Sequence, residues 1–259
     1  MNTIESTATP VMSTGRLFNA YVQEAKSECL RYLRNPGFLL PTLLFPSVFY
    51  VMFGLVLNHA NGPDAARYLL ASYGTFGVMA PGLFGFGVSL ALERDTGLLT
   101  LKRAMPMPPG AYLIGKMSMA MLVAAIISII LLSLAVFAGG VVLTPSRLGL
   151  FFLLQILGVL PFCAMGLLVG TIAKGQGAPG IINLIYLPMA FLSGLWFPLS
   201  IMPAFIQSLA PIWPAYHLDQ LALSTLGMGE GGEWRHAAVL VGYTVAFLVL
   251  ATRRLRRHG

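Results

Sequence analysis

Met117–Val142 reads MSMAMLVAAIISIILLSLAVFAGGVV, without one Asp, Glu, Lys or Arg. Roughly 20 apolar residues of helix cross the hydrocarbon core of a bilayer, and this run is longer. Backbone in hydrocarbon must satisfy every N–H and C=O within the segment, which a helix does. Five further stretches are of the same kind: about Phe38–Asn58, Tyr68–Leu92, Leu148–Ala173, Gly180–Phe197 and His236–Ala251, the last two being short. The whole chain of 259 residues agrees, at 57% hydrophobic and 10% charged. An average soluble domain carries roughly 25% charged residues. The composition therefore excludes a disordered chain, a collagen-like chain and a water-soluble enzyme. The expected fold class is an all-α integral membrane protein with six transmembrane helices.

The charges orient these helices. With six spans both termini lie on one side of the membrane. Of the 16 Lys and Arg residues, only Arg67, Arg147 and Arg235 fall on the other side. Such a bias places both termini in the cytoplasm, which for a bacterial cell means the inner membrane. It also accounts for the net charge of +7 without nucleic acid. The tail Arg253-Arg254-Leu255-Arg256-Arg257 is expected to anchor that topology at anionic lipid. No charged region runs into a short apolar core within residues 1–37, so the first span is expected to act as an uncleaved insertion signal.

Two segments differ in kind from the spans. Between Gly15 and Arg34 apolar and polar residues alternate at helical spacing, with Asn35-Pro36-Gly37 as the stop. The spacing predicts a basic amphipathic helix on the cytoplasmic membrane surface, capped by Ser13 or Thr14, or packed on a partner protein. Between the last two spans, Pro203, Pro211 and Pro214 break residues 198–227 into pieces too short to cross. Two short re-entrant or outer-leaflet helices are expected there, near Ile201–Leu209 and Ala215–Leu226. The expected organisation is a tail and interfacial helix over 1–37, then a six-span domain over 38–259. That domain carries a cytoplasmic loop at 93–116 and an external segment at 198–235.

Site chemistry is sparse. The span interiors hold no ionisable group of the kind that ion-coupled transport needs. Cys29 and Cys163 have no partner at metal spacing and read as packing residues. His59, His217, His236 and His258 are scattered, so no metal site is expected. Ser193 lacks the surroundings of a hydrolase nucleophile. Gly110–Met117 fits the start of a phosphate-binding loop, but Met117 stands where the motif needs Ser or Thr, and prolines precede it instead of a strand. No ATP site and no catalytic residue are expected, and Lys116 reads as an anchor for the third span. Gly166 and Gly170 allow a close helix approach, within the chain or across a dimer.

The loop after the second span reads ERDTGLLTLKRAMP from Glu93 to Pro106. Asp95 or Thr96 can cap a short helix that Pro106 ends, with Leu98, Leu99, Leu101 and Met105 beside Lys102 and Arg103. A short amphipathic helix on the cytoplasmic face is a docking element or an ordinary connection. At this point the chain resembles the permease subunit of type-2 ATP-binding-cassette exporters, most closely the drug-exporter branch. The resemblance rests on Glu93-Arg94-Asp95, Gly97, Pro106 and Gly115-Lys116, with the amphipathic entry helix and the run from Ser193-Gly194 through Phe197-Pro198 to Pro214. One departure is Leu98, where many relatives carry Thr or another polar residue.

The resemblance implies that Glu93, Arg94, Asp95, Thr96, Gly97, Leu98, Leu99, Leu101, Lys102 and Arg103 couple the chain to a cytoplasmic ATPase. It implies two ATPase copies that hold ATP and magnesium, and a second permease copy, with an identical one favoured. The implied cargo is a hydrophobic or amphipathic small molecule or lipid. Asn183, Tyr186 and Met189 in the fifth span are candidates to line its path, or to bond neighbouring helices. The alternatives are a non-transporting membrane scaffold and an exporter of polysaccharide chains.

Overall fold

The structure is a computed structural model that describes residues 13–57, 64–105, 107–229 and 231–258. Its regular elements are all helical, and the chain is an all-α membrane protein. Helix α1 spans Thr14–Leu33 and α2 spans Pro36–Val56. Pro36 ends the one and opens the other, because a residue before proline is pushed out of helical geometry and a proline fits the first helical turn. Helix α3 covers Ala65–Asp95, α4 covers Leu98–Ala104, and α5 starts at Pro109 and continues to Ala138. Helix α6 runs Pro145–Ile172 and α7 runs Ala178–Leu192. Then come α8 at Ala204–Leu209, α9 at Pro214–Thr225 and α10 at Glu233–His258.

Helices α2, α3, α5, α6 and α10 are long and apolar enough to cross a membrane. Helix α7 is not. Its 15 residues rise about 22 Å, short of a roughly 30 Å hydrocarbon core. The expected span to Phe197 ends at Leu192, because Gly194 takes φ +81° and turns the chain there. A left-handed residue cannot continue a right-handed helix. The prolines between the last two spans act as expected. They leave α8 and α9, separated by a turn of 3₁₀ helix at Ala210–Ile212.

Helix α3 is the axis of the fold. It packs against α2, α5, α6, α7 and α9, and it is the most buried of the spans. In its middle, Pro81–Val88 widens into π-helical turns, where the N–H missing from Pro81 already breaks the regular ladder. The glycines of that segment meet α6. A Cβ on Gly166 would lie 2.5 Å from the Gly82 carbonyl oxygen, and one on Gly170 would lie 2.7 Å from that of Gly87. The Gly166/Gly170 pair thus serves contact within the chain. Outside this core, Leu40, Leu44, Val48, Phe137, Val241 and Val245 are exposed. An apolar exterior of this kind is stable against lipid tails and not against water.

Candidate functional site

Helix α1 lies along α5, and the face it turns inward is mixed rather than purely apolar. The polar residues Glu24 and Glu28 are buried, while Phe18 is 71% exposed and Leu17 and Val22 are exposed with it. Leu17, Phe18, Val22 and Leu30 form an outward apolar face that a membrane surface would take, while Cys29 and Tyr32 turn inward with the two carboxylates. The inward carboxylates meet three cations. Lys102 Nζ donates to Glu24 Oε1 at 2.5 Å and to Glu28 Oε1 at 2.8 Å. Lys116 Nζ donates to Glu28 Oε2 at 3.1 Å, Glu93 Oε1 at 3.0 Å and Ser89 Oγ at 2.8 Å. Arg31 lies 2.5 Å from Glu28 and 2.6 Å from Glu93. Tyr112 donates its hydroxyl to Glu93 Oε2 at 2.7 Å, and its ring lies under both Lys102 and Lys116.

Three carboxylates and three cations balance in this cluster, so no net charge is buried. That is the condition under which a buried ionic site is tolerable. Lys116 is completely buried, so it is no surface anchor. Gly115 is why α1 comes close enough to reach it. The Glu24 backbone stands 3.3 Å from where a Cβ on Gly115 would be. Burial would lower the Lys102 ammonium, but the Glu24 and Glu28 carboxylates outweigh it and hold its pKa above the usual lysine value. Arg31 is likewise raised against burial, by Glu28 and Glu93. Gly110–Met117, the near-match to a phosphate loop, forms the first turns of α5 against α1.

The remaining loop residues fix α4 from the other side. Arg94 donates to the Gly170 carbonyl at 2.9 Å, at the end of α6. Asp95 Oδ2 accepts the Gly175 N–H at 2.6 Å, on the turn between α6 and α7. Asp95 is therefore engaged elsewhere and does not cap α4. Thr96 does not cap it either, since its hydroxyl bonds back to Leu92 O. The turn into α4 is made by Gly97 at φ +75° instead, a conformation that L side chains resist. Helix α4 then has two faces. Leu99 and Lys102 point inward, while Leu101 is 61% exposed, Met105 is exposed and Leu98 is half-buried. Leu98 and Leu101 stand at i and i+3 on one helical stripe, and Met105 follows as the extended residue that ends α4. Pro106 and the side chain of Arg103 lie outside the described residues.

The three pathway candidates divide. Tyr186 is buried, stacks at 4.9 Å on Phe76 and donates to its carbonyl at 3.3 Å. Met189 is buried, and Asn183 faces outward on α7. The fold also joins groups that the sequence keeps apart. His217 Nδ1 lies 2.9 Å from His236 Nδ1, and its Nε2 lies 2.9 Å from the Pro211 carbonyl. A carbonyl only accepts, so His217 carries its proton on Nε2 and accepts from His236. Among the described residues no cluster of three metal-ligating side chains occurs.

The family of ABC-2 type transporters matches residues 21–226, from within α1 to the end of α9. A Bacillus subtilis (strain 168) protein named as transport permease YvfS is 30% identical over 237 residues, covering 90% of this chain and 96% of that one. The inner membrane transport permease YhhJ of Escherichia coli (strain K12) is 30% identical over 176 residues, and these make up 46% of its length. From the same organism, YbhR, named as a multidrug ABC transporter permease, is 29% identical over 154 residues, 40% of its length. The chain belongs to the ABC-2 type transporter family, as a multi-pass membrane transport subunit.

Proposed function

We propose that the chain is the membrane half of an ATP-driven exporter, that a separate cytoplasmic ATPase docks on α4, and that the buried ionic cluster passes its movement into the membrane. The carrying observation is the two-faced α4. Its outer Leu98 and Leu101, with Met105 just past its end, offer apolar contact, while Lys102 on its inner face grips Glu24 and Glu28 of α1. Glu28 is in turn shared with Lys116 of α5, and Lys116 binds Glu93 of α3. Displacement of α4 therefore strains three helices at once. A cluster bonded this densely moves as a unit or breaks, because each unpaired charge left in the interior is costly.

In this reading ATP and magnesium sit on two ATPase copies, and this chain holds no nucleotide. Both termini are cytoplasmic, in a bacterial inner membrane. A second, identical permease covers the outward stripe of α7, where Ile181, Leu184, Leu187 and Phe191 are exposed beside Asn183. The translocation path follows that seam, with a hydrophobic or amphipathic cargo, as the multidrug label of YbhR suggests for that relative. Burying one apolar side chain contributes roughly 1.5–3 kcal/mol. Leu98→Asp and Leu101→Asp are each expected to weaken ATPase co-purification about tenfold or more, while the permease inserts at normal levels. Full retention by both variants would make α4 a plain connection and leave a non-transporting scaffold as the reading.

A further inference from the structure

A second polar site lies at the other end of α3. Tyr68 is in its first turns and Glu93 in its last, about 37 Å apart along the helix. Beside Tyr68, a cavity of about 190 Å³ opens between α3, the turn after α7, and α9. Asp219 of α9 and Ser193 line it, and each is at least 98% buried. Asp219 Oδ1 and Ser193 Oγ have no hydrogen-bond partner. No ion pair reaches Asp219 among the described residues, although Lys and Arg are the usual companions of an acid so deeply buried. The rest of the wall combines the apolar Pro198, Leu199, Leu223 and Met228 with Gln220, and Ser200 marks an exposed rim.

The unpaired Asp219 oxygen calls for a donor, its charge calls for a cation, and the unpaired Ser193 hydroxyl on the same wall can accept from that cation. A divalent metal is a poor fit, since it takes six or more oxygen ligands and only one carboxylate is present here. An ammonium group needs only a carboxylate and one or two neutral acceptors. Its organic part would lie on the apolar wall, with the Tyr68 ring beside the charge. An engineered cavity of roughly 150 Å³ holds benzene, so this one has room for a ring with a short amine. We propose that this cavity binds the ammonium head of a small organic amine, with Asp219 as counter-ion and Ser193 as second acceptor. Burial pushes the empty-site Asp219 carboxyl up to about 8, offset in part by the nearby Ser72 hydroxyl, so an arriving cation displaces a proton.

Titration calorimetry on the purified full-length permease at pH 8 tests this, with benzylammonium and its neutral counterpart benzyl alcohol as probes. The wild type should bind the cation at least tenfold more tightly than the alcohol. Asp219→Asn, which keeps the shape and removes the charge, should abolish that preference and leave the alcohol within about twofold. Ser193→Ala should reduce cation binding about threefold. Subtracting the variant removes partition into the detergent micelle. Equal affinity of the wild type for the two probes overturns the proposal without any variant, and so does an Asp219→Asn protein that keeps its preference. No ATPase is present in the assay, so either result leaves the exporter reading untouched.

Discussion

Lys116→Met is the most informative single change in the ionic cluster. The substitution keeps most of the side-chain volume and deletes only the ammonium. Lys116 has no solvent exposure, and it bonds Glu28 at 3.1 Å, Glu93 at 3.0 Å and Ser89 at 2.8 Å. Its loss leaves three buried or nearly buried carboxylates facing Arg31 and Lys102 alone. Removing one partner of a buried pair costs about 3–5 kcal/mol, because the other charge stays behind unpaired. In a chain of this size 1 kcal/mol shifts the melting temperature by about 2–4 °C, so a fall of about 10 °C is expected in detergent. Glu28→Gln on the same background restores charge balance and should recover at least half of that fall. A drop under about 2 °C for Lys116→Met would refute the reasoning, as would simple additivity of the two substitutions. Either result would mean that water or lipid headgroups already screen the cluster.

Other expectations follow from single positions. Gly166→Leu should lower the melting temperature by several degrees, since its Cβ would press on the Gly82 carbonyl oxygen, while Gly149→Leu, with open space around it, should not. Asp219 should give the folded protein an acid-side preference. Its folded pKa of about 8 lies above the usual aspartate value, so the folded chain keeps a proton that the unfolded chain has lost, and stability falls as pH rises from about 4 to 8. Melting curves at pH 5 and pH 8 should show a larger loss for wild type than for Asp219→Asn, and equal losses would remove the argument. Cysteine labelling in intact cells should reach position 64 from outside and position 255 only from inside. External labelling of position 255 would reverse the topology, and Glu230 lies outside the described residues.

The sequence makes the spans legible because hydrocarbon imposes a length and a composition, which a run such as Met117–Val142 displays directly. Helix α1 is legible in its bounds but not in its facing. Its apolar residues end on both faces, because Lys102 and Lys116 draw Glu24 and Glu28 inward from 74 to 88 residues away. The same distance hides the role of Lys116, whose neighbourhood reads as a span anchor. Asp95 and Thr96 carry the usual signature of a helix cap, but other acceptors and donors claim both. The end of α7 at Leu192 is not legible in hydropathy, because the residues after Gly194 remain apolar and the positive φ of Gly194 turns the chain. Asp219 and the His217–His236 pair have no local motif at all, since each is made by packing α9 against another helix.

The central claim is that force enters through α4 and travels through the cluster. Lys102→Met separates these two steps, because it leaves the outer stripe of α4 intact and cuts its bonds to Glu24 and Glu28. The measurement is ATP hydrolysis and amphipathic-dye export, recorded together on the permease–ATPase complex in proteoliposomes. The ATPase is expected still to co-purify and hydrolyse ATP, while export per ATP falls about tenfold or more. Export that keeps pace with hydrolysis in Lys102→Met would contradict it, and would place the coupling path outside the Glu24–Glu28–Lys102–Lys116 cluster.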